Sequence, residues 1–141
     1  MKKRAKLQRF FLCFMLLPVF ILCGCSEERA VYPARKMPEG ILKDEQQLNR
    51  GESLFMDKCA SCHGKPSEGR SDRASFFQPP APDFTDADYR RMDPAYLYWR
   101  IEVGKTVEPF RSQGSVMPAW GMYFNEQQLW QIVAYLQTRA H

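Results

Sequence analysis

The sequence predicts an all-α protein in which three main helices are joined by long loops. Three observations point that way. Apolar residues recur at helical spacing in three separate segments, each flanked by residues suited to start or stop a helix. No stretch of any length alternates apolar and polar residues as a half-buried strand does. The prolines, 10 in 141 residues, concentrate between positions 79 and 118, which favours ordered connections over regular structure there.

Before the first helix comes a leader. Residues 1–9 carry Lys2, Lys3, Arg4, Lys6 and Arg9, and Phe10 to Cys23 follow without a charge. That apolar run is shorter than the about 20 residues needed to span a bilayer. A basic flank before a short apolar run is the pattern of an export signal. Leu22-Cys23-Gly24-Cys25 closes the run and is similar to the lipobox of bacterial lipoproteins, with Cys25 as the residue that receives lipid. Cys23 is an unusual occupant of the second position, and an uncleaved membrane anchor is the competing reading. On the lipoprotein reading, residues 1–24 are a signal peptide and Ser26 favours the outer over the inner membrane. On either reading the remaining chain is held on the periplasmic side of a bacterial membrane. Residues 25–43, charged and broken by prolines, are expected to be a flexible tether, which leaves 44–141 as one small domain.

The leader also accounts for the charge. The whole chain carries +4 with a sequence pI near 8.9. Five of its 20 basic residues lie in positions 1–9, leaving 15 against 16 acidic ones. The exported part is therefore about −1, and a nucleic-acid partner is excluded on charge.

The first helix is expected from Asp44, a plausible N-cap, to Lys58, with Leu48, Gly51, Leu54 and Phe55 on one stripe. A glycine on that stripe implies that another backbone approaches closely. The second starts with Asp93 as N-cap and Pro94 at the first helical position, carries Leu97, Tyr98 and Ile101, and stops at Gly104. The third follows Asn125, with Gln128 as capping-box partner and Leu129, Ile132, Val133 and Leu136 as its apolar face. All three read as amphipathic surface helices around a small core.

Between the first two helices stands Cys59-Ala60-Ser61-Cys62-His63, the spacing of a c-type haem attachment site. Each thiol can add to one vinyl group of the porphyrin, and the adjacent imidazole can then reach the iron. Of the five cysteines, Cys13 and Cys23 fall in the leader and Cys25 is the lipid candidate, so only Cys59 and Cys62 remain for chemistry. A thioredoxin-like thiol oxidoreductase also uses Cys-x-x-Cys but places it after a strand, whereas residues 45–58 read as helix. A zinc site needs four ligands, and His141 at the far end is the other histidine on offer.

The order of features resembles a class I cytochrome c, of the bacterial monohaem, membrane-anchored lipoprotein type. The resemblance rests on Gly51 and Phe55 in the first helix, the haem motif, the Pro80-Ala81-Pro82-Asp83-Phe84-Thr85-Asp86 loop, Met117-Pro118-Ala119-Trp120 and the aromatic last helix. It covers about residues 45–139. It implies a small cytochrome c fold around one covalently bound haem c, with first and last helices crossing beside it and Tyr135 or Trp130 packed against Gly51. The loop from Lys105 to Val116 is longer than usual in such proteins.

With His63 on one side of the iron, candidates for the other side are Met37, Met56, Met92, Met117, Met122 and His141. Met56 is too close to Cys59 in sequence, and Met37 lies in the tether. Met117 precedes Pro118, which biases it to an extended loop conformation able to reach inward. Met117 is the expected ligand; Met92, Met122 and an open five-coordinate iron are the alternatives. The resemblance implies that Pro80 or Pro82 offers a carbonyl to the His63 ring; Trp120, Arg73, Arg90, Arg91, Arg100 and Arg111 are the candidates to face the haem propionates, with a solvated surface position as the alternative reading for each arginine. The expected function is electron transfer by haem c, not catalysis, between larger membrane respiratory or redox partners. The alternatives are a fixed cytochrome subunit of a quinol-oxidising or terminal reductase complex, and a haem enzyme or sensor with an open sixth site. Only five lysines lie outside the leader, so a strongly basic docking ring is not expected.

Overall fold

The Asp44 side chain accepts hydrogen bonds from the amides of Gln46 and Gln47 and starts helix α1, Glu45–Lys58. In the computed structural model, which describes residues 30–108 and 110–141, four more α-helices follow. They are α2 (Ala60–His63), α3 (Asp88–Arg91), α4 (Pro94–Val103) and α5 (Glu126–Arg139). Short 3-10 turns occupy Ile41–Lys43 and Asp72–Phe76, and there is no strand among the described residues. The leader and Cys25 lie outside the described residues, as does any membrane anchor they form. No described helix is long and apolar enough to cross a membrane.

The helix ends follow local chemistry. Asp93 accepts from the amide of Ala95, with Pro94 opening α4, and Asn125 and Gln128 form a reciprocal capping box at α5. Helix α1 crosses α5 where Gly51 stands. A Cβ there would overlap the Gln131 carbonyl and lie 3.0 Å from the Tyr135 Cβ, so only glycine permits this approach. Phe55 and Tyr135 fill the crossing with ring centroids 5.3 Å apart, and Gln131 Nε2 donates to Gln47 Oε1 at 2.7 Å. Trp130 lies elsewhere, packed on Tyr98 of α4 at 4.5 Å, so Tyr135 is the aromatic beside the glycine.

Two expectations are corrected. Helices α4 and α5 are not surface helices: every residue from Leu129 to Gln137 is buried, as are Leu97 to Ile101. Helix α5 is enclosed by α1, α3, α4 and the 41–43 turn together, and its two buried glutamines have partners. Gln131 bonds Gln47, and Gln137 donates to the Met92 carbonyl at 2.9 Å.

The second correction concerns the tether. Residues from 31 onward belong to the same unit as the helices. Tyr32 stacks on Trp99 at 5.9 Å and its hydroxyl donates to Asp93 at 2.7 Å. Arg35 bonds both carboxylate oxygens of Glu102, at 3.0 and 3.1 Å, and lies over the Tyr98 ring. Ile41 is buried in the core. Helix α4 supplies most of these partners from sixty or more residues away, so composition around residues 31–43 gave no hint of them.

Candidate functional site

Helix α1 ends at Lys58 and the chain turns straight into α2. The Cys59 carbonyl accepts from the amides of Cys62, at 3.1 Å, and His63, at 2.9 Å. This single turn brings both thiols and the imidazole to one cleft, which is also lined by Pro80, Met117 and Trp120. The cleft encloses about 130 Å³, and about 680 Å³ with its open mouth included. A larger depression of about 730 Å³, lined by Glu39, Asp44, Glu126 and Trp130, lies apart from the cysteines and from His63. It is wide open and carries no nucleophile or soft ligand, so the chemistry belongs to the smaller cleft.

His63 is 7 % exposed, and its Nδ1 lies 3.2 Å from the Pro82 carbonyl. A carbonyl can only accept, so Nδ1 carries the proton and Nε2 keeps its lone pair. The Phe84 ring stacks on the imidazole at 4.5 Å and 29°. Burial lowers the His63 pKa from 6.5 to about 4, with the Pro82 hydrogen bond opposing and the charges of Lys105 and Arg139 reinforcing. The ring is therefore neutral at pH 7 and able to bind a metal. Pro82 supplies the carbonyl; Pro80 lines the cleft instead.

Cys59 and Cys62 are both free thiols. Burial, followed by the neighbouring Cys62 and Asp57, raises the Cys59 pKa from 9.0 to about 12. A thiol oxidoreductase needs the opposite, a thiol that ionises easily. Among the described residues no three His, Cys, Asp or Glu side chains gather into a metal-binding cluster, and His141 does not line this cleft, so the four ligands of a zinc site are not assembled here.

The other wall of the cleft is built at the end of α4. Gly104 has φ +64°, and a Cβ there would overlap the carbonyls of Met117 and Pro118. The amide of Lys105 donates to the Met117 carbonyl at 3.1 Å, that of Trp120 to Ile101 at 3.0 Å, and that of Gly121 to Glu102 at 2.9 Å. These bonds fasten residues 117–121 to the helix end, so half-buried Met117 lines the same cleft as His63. The rival ligands lie elsewhere. Met122 is 93 % exposed, Met92 packs against the core with its carbonyl bonded to Gln137, and the His141 ring lies 2.9 Å from the Arg139 carbonyl. Trp120 lines the cleft and stacks on Phe124 at 5.5 Å.

The candidate arginines separate by burial. Arg90 bonds the Ala140 carbonyl and Arg91 bonds Asp88, while Arg73 and Arg111 are exposed. Arg100 is buried. Two further residues shape the site without having been singled out in the sequence. Phe84 sits two residues after Pro82, so an aromatic beside the imidazole could have been sought there. Arg139 donates to the carbonyls of Gly64, Lys65 and Gly69 and holds the loop that leaves His63. It lies 70 or more residues away from them, and nothing local marked it.

Residues 46–136 match the family described as cytochrome C oxidase, cbb3-type, subunit III. The chain belongs to this family. A comparison with curated proteins gives no match. The protein is thus a c-type cytochrome, a haem protein of electron transfer, and its helical architecture, strand-free among the described residues, is consistent with a small cytochrome c fold. The residues present fit haem c with its iron. The cytochrome offers paired thiols within one turn, a neutral imidazole with one nitrogen already bonded, and a thioether on the same apolar cleft. It also holds a buried guanidinium with no acceptor.

Proposed function

We propose that this cytochrome is a membrane-anchored electron carrier with one covalently held haem, passing electrons between membrane respiratory or redox partners. The observation that carries the reading is the convergence of Cys59, Cys62, His63 and Met117 on one apolar cleft. Haem c supplies a one-electron redox centre when bound. Cys59 and Cys62 would hold it through thioether bonds, each thiol adding across one vinyl group. His63 Nε2 and the Met117 sulfur would ligate its iron, a pair that would raise the reduction potential and leave no site for substrate. The Pro82 carbonyl, accepting from Nδ1, fixes the imidazole plane and increases its basicity. Phe84 limits rotation of that ring. The apolar lining keeps water out and disfavours the more positive ferric state.

Cys25 is the lipid-bearing residue in this reading, with residues 1–24 removed as a signal and the domain facing the periplasm, Ser26 favouring the outer membrane. Fixed residence in a larger assembly is the second reading, and two observations favour it. The family description names an oxidase subunit. Tyr32 and Arg35 are also fastened to α4, so residues from 31 onward belong to the folded domain and not to a long tether.

Expression with periplasmic haem maturation tests the core of the proposal. The expected product retains haem through denaturing electrophoresis, gives a c-type pyridine haemochrome, and loses both when Cys59 and Cys62 become alanine. Retention of free, titratable thiols in the mature protein would contradict it. Mild detergent extraction separates the two readings: a carrier purifies alone, whereas a fixed subunit brings its complex.

A further inference from the structure

Arg100 poses a problem that the fold itself does not solve. It is 5 % exposed, and Nε, Nη1 and Nη2 all lack a hydrogen-bond partner. A guanidinium keeps its charge at any ordinary pH and has no acceptor capacity, so it must donate. Burying it unpaired is costly; acceptors remove that cost, and an anion does so best because it also balances the charge. Arg35 and Arg139 each leave Nε unpaired but have acceptors for their other nitrogens, Glu102 for Arg35 and three carbonyls for Arg139. Around Arg100 there are aromatic faces instead. Its Cζ lies 4.8 Å from the Trp99 ring and 3.9 Å from the Phe110 ring. Two rings hold the guanidinium and offset part of its desolvation, but they do not replace hydrogen bonds to its N–H groups.

A second cation approaches the same place. Lys105 Nζ lies 5.2 Å from the centre of the Phe110 ring, and Lys105 lines the cleft with His63. Burial lowers its pKa, and the charge of Arg100 lowers it further. Two like charges beside one ring, one of them without an acceptor, call for a carboxylate near them. Planar carboxylates suit a guanidinium fork, which can donate two parallel bonds.

We propose that Arg100 is the anchor for a propionate carboxylate of the haem, with Lys105 as a second positive charge at the same edge. The proposal rests on the haem reading above. It assigns to one residue a role for which exposed Arg73 and Arg111 and the already bonded Arg90 and Arg91 are unsuited. The guanidinium neutralises a negative charge that would otherwise favour the ferric iron, so Arg100 also raises the reduction potential. Arg100 acts here as a binding and tuning residue.

The test uses holoprotein matured in the periplasm and compares wild type with Arg100→Gln, Arg100→Lys and Arg111→Gln. The readouts are the reduction potential by spectroelectrochemistry and the propionate-bending region of the resonance Raman spectrum. Arg100→Gln is expected to lower the potential and shift the propionate band, Arg100→Lys to do so partially, and Arg111→Gln to leave both unchanged. If Arg100→Gln fails to fold, the lysine variant still reads the fork geometry. Wild-type protein labelled on arginine adds a measurement without mutation: Arg100 Nε–H should exchange slowly only when haem is attached. Haem-loaded variants with unaltered potential and Raman band would overturn the arginine assignment alone. A wild-type chain that matures without covalent haem would overturn the haem reading and the assignment with it.

Discussion

His63 and Cys59 show how burial, more than local charge, sets the chemistry of this site. The His63 pKa of about 4 lies below its ordinary 6.5. In the haem-free chain the unfolded state therefore takes up a proton more readily than the folded one between those values. Folding stability is fully present above about pH 6.5 and falls as the pH drops toward 4, by about 3 kcal/mol in total. Urea unfolding of the haem-free chain at pH 7.0 and at lower pH checks this; stability independent of pH across that window contradicts it. Cys59 shifts the other way, to about 12. Its alkylation in the same folded chain is expected to be slower than that of a small thiol at pH 8 and to keep rising as the pH increases. The paired thiols and the histidine were legible in the sequence because the motif is contiguous. Pro82, Phe84 and Arg100 were harder, because their roles depend on which loop folds over which ring.

At the scale of elements, two glycines do most to position the cleft. Gly104 has positive φ and no room for a side chain against residues 117 and 118. Gly104→Ala is expected to cost about 2 kcal/mol or more and to loosen Met117 from the cleft. Thermal unfolding reads the first effect, and a weakened sulfur-to-iron absorption band reads the second. Gly51→Ala presses a methyl group into the Gln131 carbonyl and is expected to cost about 2 kcal/mol or more through forced separation of α1 from α5. Arg35→Ala is milder, at about 1 kcal/mol, because the Arg35–Glu102 pair is part-exposed and only the Tyr98 contact adds to it. The ends of α1, α4 and α5 could be placed from Asp44, Asp93, Asn125 and Gln128, since capping depends on near neighbours. The packed segment 31–43 could not, because its partners on α4 lie far along the chain. The burial of α4 and α5 was missed for a related reason. Their apolar stripes show one buried face, but Gln131, Gln137 and Arg100 make the other faces look wet in sequence.

For the whole molecule, residues 10–141 carry almost no net charge and few lysines, so electrostatic steering toward a partner is weak. Phe76, Val116, Met122 and Tyr123 stand exposed on its surface. The rate of electron exchange with a redox partner is accordingly expected to vary little with ionic strength; a steep fall with added salt, measured by stopped flow, contradicts this. Fold class and haem chemistry were legible at this scale because feature order is a property of the whole chain. The central claim is that a single His63/Met117 site carries the electron. Absorption spectra of the periplasmically matured protein and its Met117→Ala variant test it most directly. A c-type haemochrome is expected in both, with the weak far-red sulfur-to-iron band of the oxidised wild type lost in the variant. A wild-type spectrum without that band, or a band that survives the substitution, would contradict it.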